Sequence, residues 1–395
     1  MDKLKRKDSL VLQAPTGAGK TTVVPLAVLE ELDKGNSQGR VLVLQPRRLT
    51  CIAVARRMAH LWGDDLGQTV GYRIRHEAVV SNQTRIEVVT EGVLLRYLVS
   101  NPGLDGIACI FFDEFHERSI EADVGFALCL AARRSRELTT RLIVMSATFG
   151  SLADRVCKLL GAEANVISSE GRTFPVDVKY KGLLDLHDFE PHGPRTFADI
   201  VAKVVKEAME ERPGDVLVFL PGEREIMYCW IALHNMGVGD GRVPRNLQSW
   251  ARKLIKESDP SSSMVQVSPL YGTLDQREQE EVIKPPAPGW RKVILASNIA
   301  ESSITVPGIK IVVDTGLRKV KTVDSSTCMS FMHTVPVSVA SSDQRKGRAG
   351  RVAPGICYRL WDEKQHAQLA PNDAPELHRS DLSNTVLDLA LAGFL

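Results

Sequence analysis

No run of about eighteen apolar residues occurs anywhere in the 395-residue sequence, so no membrane-spanning helix is expected. Cysteine is scarce and scattered: Cys51, Cys109, Cys129, Cys157, Cys229, Cys328 and Cys357 are odd in number and never spaced C-x-x-C. That pattern argues against a structural zinc site or a disulfide framework and for a reducing, intracellular compartment. Cys109 and Cys129 lie in apolar runs and read as small core residues. Charge of one sign is also lacking. With 50 basic and 48 acidic residues the formal net charge is +2, so any surface for a polyanion must be a local groove. Aromatics make up 6% of the chain and never cluster into a base-reading module, so sequence-specific recognition of nucleic acid is not expected. The first residues, Met1 to Asp8, lack the apolar stretch of a signal peptide; their Lys3, Lys5, Arg6 and Lys7 read as a solvated tail.

The sequence does contain the composition of a globular protein, 44% apolar and 25% charged. Its length exceeds what one hydrophobic core usually serves, which makes two domains the expectation. From Ser9 to about Ile167, short β-branched runs (Leu10–Gln13, Val41–Leu44, Arg85–Val89, Ala108–Phe112, Leu142–Met145) alternate with helical spacing at Thr21–Leu32 and Cys51–Leu61. Alternation of this kind builds a parallel sheet wrapped by helices. A boundary is expected at Ser168–Pro175, where Gly171 and Pro175 interrupt the pattern. It then restarts: Asp215–Leu220, Val293–Ser297 and Ile309–Asp314 read as strands, and Phe197–Arg212, Glu223–His234 and Leu274–Ile283 as helices. KPPAPG at Lys284–Gly289 reads as a surface loop. After Leu360 the chain turns to coil and one apolar helix, Leu382–Leu391, expected to find little to pack on and to open a further domain.

APTGAGKTT at Ala14–Thr22 directly follows an apolar strand and precedes a helix, the context a P-loop requires. Ala14 stands at the first glycine position; Pro15, Thr16, Gly17, Ala18 and Gly19 would wrap backbone N–H groups around phosphate, helped by the positive end of the helix. Lys20 would bridge the outer phosphates, and the Thr21 hydroxyl would ligate Mg²⁺, with Thr22 beside it. The apolar strand at Cys109–Phe112 ends in Asp113 and Glu114, at the carboxyl edge where ligands of α/β sheets bind. Asp113 is the expected Mg²⁺ partner. Glu114, adjoining the metal, is placed to deprotonate the attacking water. Alone, such a strand end would read as solvated acid.

Together with SAT at Ser146–Thr148 and QRKGRAGR at Gln344–Arg351, the DEFHERS stretch at Asp113–Ser119 resembles the DEAH/RHA helicases of superfamily 2, most closely their HrpB-like branch with DEFH for DEAH. The resemblance runs from about residue 10 to 391. It implies an α/β fold of two tandem RecA-like P-loop NTPase domains with parallel sheets, residues 1–170 and 171–365, and a truncated start of a C-terminal winged-helix region at 366–395. It further implies ATP or another NTP with Mg²⁺ held in the cleft, and single-stranded RNA, with DNA as the second candidate, lying across both domains of a monomer. His116, Ser146 and Thr148 would couple hydrolysis to domain movement, although a lone histidine is more often structural.

In Gln344–Arg351 the residues Arg345, Arg348 and Arg351 would share one face if the segment is helical. The plain reading is a basic face for a nucleic-acid backbone. The resemblance makes Arg348 and Arg351 arginine fingers and gives Gln344 a share in holding the water. Gly347 and Gly350 weaken a helix there by roughly 1 kcal/mol each. ASNIAESSIT at Ala296–Thr305 keeps hydroxyls at Ser297 and Ser302; Asn298 and Ser303 are candidates for phosphate or nucleotide contact. DTGL at Asp314–Leu317 falls where relatives carry a phenylalanine that stacks on adenine opposite an arginine matching Arg57; Leu317 offers no π face, so weak base discrimination is expected. Family-matched candidates for nucleic-acid contact are Arg47, Arg48, Thr90, Gly92, Gly222 and Asn298. Arg73 and Arg75 resemble a hook-turn, and Arg318–Met332 a strand-separating hairpin. The leading expectation is an NTP-dependent RNA helicase moving 3′→5′. A clamp that binds NTP and RNA without unwinding is the alternative. A small-molecule kinase explains neither the second half nor the arginine series.

Overall fold

The computed structural model describes residues 9–15, 18–101, 103–136, 140–147, 152–161, 165–169, 171, 174–187, 193–244, 247, 249–255, 264–301, 306–324, 326–327, 329–391 and 393. The chain divides into two compact units, Met1–Gly171 with Ala374–Leu395, and Arg172–Asp373.

In the first unit the strands are β1 (Leu10–Gln13), β2 (Arg40–Gln45), β3 (Val70–Ile74), β4 (Glu77–Val79), β5 (Ile86–Thr90), β6 (Ile107–Phe112), β7 (Arg141–Ser146) and β8 (Asn165–Ser168), and the helices are α1 (Lys20–Lys34), α2 (Arg48–Trp62), α3 (Glu91–Ser100), α4 (Ile120–Arg136) and α5 (Leu152–Leu160). The strands form one eight-stranded sheet, ordered β4-β3-β5-β2-β6-β7-β1-β8, parallel except for the β3–β4 pair. Because side chains alternate along a strand, neighbouring apolar residues feed opposite faces. Val41, Val43 and Phe111 pack into one core with Ile52 and Met58 of α2; Leu42, Leu44 and Phe112 pack into the other with Leu94 of α3 and Phe126 of α4. Each such fully buried side chain contributes about 1.5–3 kcal/mol, so apolar burial on both faces rather than helix propensity sets this unit.

In the second unit, β9 (Val176–Tyr180), α6 (Gly193–Glu211), β10 (Asp215–Phe219), α7 (Glu223–Asn235), α8 (Ser249–Arg252), β11 (Val265–Leu270), α9 (Gln276–Ile283), β12 (Arg291–Ala296), β13 (Ile309–Asp314), β14 (Leu317–Val323), β15 (Ser330–Pro336), α10 (Val339–Gly347), β16 (Gly355–Arg359) and α11 (Glu363–Gln368) follow in order. Six of the strands make a parallel sheet ordered β11-β12-β10-β13-β16-β9. β14 and β15 form an antiparallel hairpin in register from Leu317↔Pro336 to Val323↔Ser330. Val216, Val218, Leu295 and Val313 pack against Phe197, Val201 and Trp230 from α6 and α7.

α12 (Ser383–Leu391) returns to the first unit. As expected, this helix finds little to pack on: none of its residues is buried, Val386, Leu387 and Leu391 are exposed, and Leu389, with Leu382 just before the helix, is only partly buried against the Leu94–Phe126 core. Before it, the Glu376 N–H donates to the Arg118 carbonyl (3.0 Å), and Glu376 Oε2 accepts from the Ile120 N–H at the start of α4 (3.3 Å). Among the described residues no helix is long and apolar enough to cross a membrane.

Candidate nucleoside triphosphate site

The parallel register carries Gln13, Gln45, Thr90, Asp113 and Ser146 to one edge of the first sheet, where the strands end in their carboxyl direction. The Ala14 N–H donates to the Ser146 carbonyl (3.1 Å), which holds the start of the phosphate loop to the end of β7. Thr16, Gly17 and Thr148 lie outside the described residues, as do Ser302 and Ser303. Ala14 is buried and Pro15 half-buried, while Ala18 is exposed. Gly19, at φ 80°, turns the chain into α1 in the left-handed region that an L side chain resists. The next residue is Lys20, in the first turn of α1 and 4% exposed.

Five side chains converge there. Lys20 Nζ donates to Glu114 Oε2 (3.1 Å) and lies 3.5 Å from Asp113 Oδ1. Asp113 Oδ2 accepts from the Thr21 hydroxyl (2.6 Å) and from Gln45 Nε2 (2.7 Å), and Asp113 Oδ1 accepts from the Glu114 N–H (2.9 Å). Burial alone would lower the Lys20 ammonium's pKa; the facing Glu114 and Asp113 carboxylates outweigh it and raise it. Burial alone would raise the Glu114 carboxyl; the charges of Lys20 and then His116 hold it below the ordinary range. Both groups are therefore ionised. Thr21 and Asp113 present two hard oxygens side by side, with the phosphate loop adjoining. That donor set fits Mg²⁺, which takes one or two protein oxygens and completes its octahedron with phosphate and water. Among the described residues no group of three or more His, Cys, Asp and Glu forms a cage by itself. Thr22 is half-buried in the same turn.

Glu114 adopts φ 51°, ψ 35°, a left-handed conformation in a non-glycine residue, which costs about 1–2 kcal/mol. Strain of this kind persists only where the surroundings impose it, and here Phe115 supplies the clamp. Its buried ring meets Phe126 at 5.3 Å and Phe112 at 6.3 Å, both edge-on. Phenylalanine in DEFH thus fills core volume below the carboxylates and leaves them untouched. His116 Nδ1 lies 3.1 Å from the Ser146 hydroxyl and 3.6 Å from Glu114 Oε2, joining β7 to the carboxylate through one ring.

Gln45, fully buried, is a residue that sequence reasoning missed. Pairing of Leu44 with Phe112 sets it opposite Asp113. No local pattern marks it; only the pairing of β2 with β6 does.

Around this edge lie the residues expected to touch nucleic acid. Arg47 is half-buried and 3.5 Å from Glu117; Arg48 and Gly92 are exposed, and Thr90 is half-buried. Arg57 is exposed on α2. Arg73 is tied to Glu87 (2.6 Å), while Arg75, Thr90, Gly92 and Arg96 line an open hollow of about 380 Å³. Glu91, half-buried between Thr90 and Gly92, accepts from the Ser119 hydroxyl (2.6 Å). Burial, aided by Glu117, Glu121 and Glu376, pushes its carboxyl up to about 8, so it is mostly uncharged at neutral pH beside the proposed phosphate track. Between its unfolded value of about 4.3 and 8, the folded chain binds the extra proton. Stability should therefore fall as pH rises through that window. Glu91→Gln should flatten this slope in thermal melts taken from pH 5 to 8.5; an unchanged slope would refute the shift.

In the second unit the arginine series does not form one helical face. α10 ends at Gly347; Arg348 caps it and Arg351 lies beyond in irregular chain. Arg345 is fully buried, bonded to Asp314 (2.9 Å) and Glu301 (2.9 Å), with its guanidinium 4.9 Å from the Phe219 ring. It is a core ion pair and not part of a basic surface. Arg348 Nε donates to the Glu301 carbonyl (2.9 Å), and Gln344 is half-buried. Gly350 is required by close approach: a Cβ there would meet the Phe174 carbonyl at 2.5 Å. Leu317, expected at the base, has no exposed surface and belongs to the core of its unit. Gly222 lies under Lys319, whose ammonium bonds Glu225 (2.8 Å). Asn298 is exposed in the turn after β12.

A phosphate loop, a carboxylate pair at a strand end and a second sheet-based unit carrying Gln344–Arg351 define a two-domain P-loop NTPase core. The chain matches the family model for the DEAD/DEAH box helicase over residues 1–156 and that for the helicase conserved C-terminal domain over residues 199–353. It is 40% identical over 96% of its length to the ATP-dependent RNA helicase HrpB of Escherichia coli (strain K12), and 35% identical over 98% to the human ATP-dependent RNA helicase DHX33. It superimposes on the crystal structure of the Escherichia coli DEAH/RHA helicase HrpB with a TM-score of 0.80, at 39% identity, over 98% of this chain and 44% of that one. The chain belongs to the DEAH/RHA helicases, with two RecA-like domains built on parallel sheets. It spans 42% of the bacterial relative and 51% of the human one.

Proposed function

We propose that this chain is the motor core of an NTP-dependent RNA helicase that couples nucleic-acid-stimulated NTP hydrolysis to 3′→5′ movement along single-stranded RNA. The observation that carries the reading is the constellation of buried Lys20, Asp113 and Glu114 with half-buried Thr21, at the start of the helix that follows the phosphate-loop sequence. In this cycle the loop and Lys20 grip the triphosphate of ATP or another NTP, and Thr21 and Asp113 hold Mg²⁺, which would neutralise charge on the outer phosphates. Glu114 accepts the proton of the attacking water, which Gln344 helps to place. Arg348 and Arg351 supply positive charge to the phosphoryl group as it transfers. Movement of the His116–Ser146 link tells the rest of the first domain which nucleotide is bound. Arg47, Arg48, Thr90, Gly92, Gly222 and Asn298 track the RNA backbone, and residues from 366 on open a winged-helix region. The second reading is a clamp or scaffold that binds NTP and RNA without separating strands.

The test is the steady-state rate with and without single-stranded RNA, for the wild type and Lys20→Ala, using ATP, GTP, CTP and UTP. RNA should raise the wild-type rate and leave Lys20→Ala inactive; a wild type indifferent to RNA would sink the proposal. Stimulation without duplex separation selects the clamp. With Leu317 in the core, the bases should be poorly distinguished. An ATP preference above about 30-fold, some 2 kcal/mol, would show that another residue supplies the stack.

A further inference from the structure

One residue binds two buried arginines of the second domain, Arg345 and Arg348, and it does so with different atoms. The carboxylate of Glu301 accepts from Arg345 Nε (2.9 Å), while its main-chain carbonyl accepts from Arg348 Nε (2.9 Å) and from Arg348 Nη2. On its other side Glu301 closes the turn after β12: its N–H donates to the Asn298 carbonyl (3.0 Å), and Ser297 at the head of that turn is tied to the Leu270 carbonyl (3.0 Å). We infer that Glu301 is a positioning residue which seats Arg348 and passes to it the state of the exposed Asn298 turn, so that RNA contact at Asn298 is read as finger placement. This inference rests on the function proposed above.

The physical case is one of stiffness. Arg345 is wholly buried, and besides Glu301 it bonds Asp314 Oδ1 (2.9 Å) and the Leu317 carbonyl (3.2 Å). Pulling Glu301 away would leave a buried guanidinium short of a partner, which a low-dielectric interior strongly disfavours. The Glu301 carboxylate therefore cannot swing alone, and the turn and the end of α10 must shift together. Two donors of the planar Arg348 guanidinium on one carbonyl fix its plane, so a displacement of that carbonyl re-aims the remaining donors. A purely structural tie between β13 and α10 would need only the Arg345–Asp314 pair. Glu301 adds the connection to Asn298 and to Arg348.

The experiment compares the wild type, Glu301→Gln, Arg348→Ala and the double variant of the full chain, with single-stranded RNA as the probe. Its readouts are RNA affinity, KM for NTP, and the ratio of stimulated to unstimulated kcat. Glu301→Gln should keep RNA affinity and KM within about threefold while the stimulation ratio falls at least tenfold, because the neutral amide holds Arg345 less firmly and lets the carbonyl drift. In the Arg348→Ala background the same change should cost less than about threefold, since the group it seats is gone. Should Glu301→Gln fail to fold, Glu301→Asp keeps the charge but retracts it by a methylene, and should lose at least threefold in stimulation. Wild-type stimulation in the variant that folds, or losses that multiply in the double variant, overturn the inference while leaving the NTPase reading intact. A wild type that ignores RNA overturns both, and is distinguished by its own unstimulated control.

Discussion

Glu114→Gln should retain NTP affinity within a few-fold and lose turnover by about 10²–10⁴, the worth of a general base, or about 3–5 kcal/mol of barrier. The amide preserves size and can still accept from Lys20 at the 3.1 Å contact. Lys20 and Thr21, which would hold the phosphates and metal, keep their places. The left-handed backbone of residue 114 strains glutamine as much as glutamate, so the two proteins should share one geometry. What changes is the ability to take a proton. The pH profile gives a second reading of the same residue. In this structure burial is outweighed by the Lys20 charge and then by His116, which together hold the Glu114 carboxyl low. A bound triphosphate competes for the Lys20 ammonium protons, and Glu114 then becomes more basic. A depressed carboxyl is ionised above its pKa, and its contribution vanishes as pH falls through that value. The acid limb of kcat, which reports the complex, should therefore lie at higher pH than that of kcat/KM, which reports the free protein. Near-normal turnover in the variant, or a kcat limb at or below the kcat/KM limb, would remove Glu114 from the chemistry.

The parts of the molecule legible in the sequence are those where one local rule decides. Strands buried on both faces, such as Val41–Leu44 and Leu142–Met145, are unbroken apolar runs and can be placed within a residue or two. The phosphate loop follows from glycine, lysine and threonine between a strand and a helix. Strands whose residues alternate with polar ones escape the rule: β9 reads VDVKY at the sheet edge, and β11, the opposite edge, reads VQVSPL with Pro269 inside it. Three arginines at helical spacing suggest a face that runs past the end of α10, whereas the helix stops at Gly347, and the Phe174 carbonyl leaves room only for glycine at 350. Long-range pairing hid the rest. Gln45 meets Asp113 across 68 residues, and Arg345 meets Glu301 across 44. Nothing in either local sequence announces the partner. For Arg345 the consequence is a change of role, from a presumed surface cation to a buried pair that fixes where Arg348 starts.

Arg348→Ala should lower RNA-stimulated hydrolysis by about 10³–10⁵, the range measured for arginine fingers, with KM for NTP changed by less than about tenfold. The asymmetry follows from where the charge acts. On the proposed reading a triphosphate would already be neutralised in the ground state by Lys20, the loop N–H groups and the metal that Thr21 and Asp113 would hold, so one more cation would add little to binding. Charge moving onto the bridging oxygen in the transition state has no such provision, and a guanidinium delivered there lowers kcat's barrier selectively. The resting contacts of Arg348 sharpen the expectation. Its bonds to the Glu301 carbonyl hold the guanidinium plane, so that on the proposed reading its other donors would be the ones to meet phosphate oxygens, in charge-assisted bonds. Arg348→Lys tests the geometry separately. Lysine keeps the charge but not the planar fork, and it should recover less than about a tenth of the lost rate. Equal losses in kcat and in NTP affinity would make Arg348 a ground-state contact. Full recovery with lysine would mean that charge alone, without the seat that Glu301 provides, is sufficient.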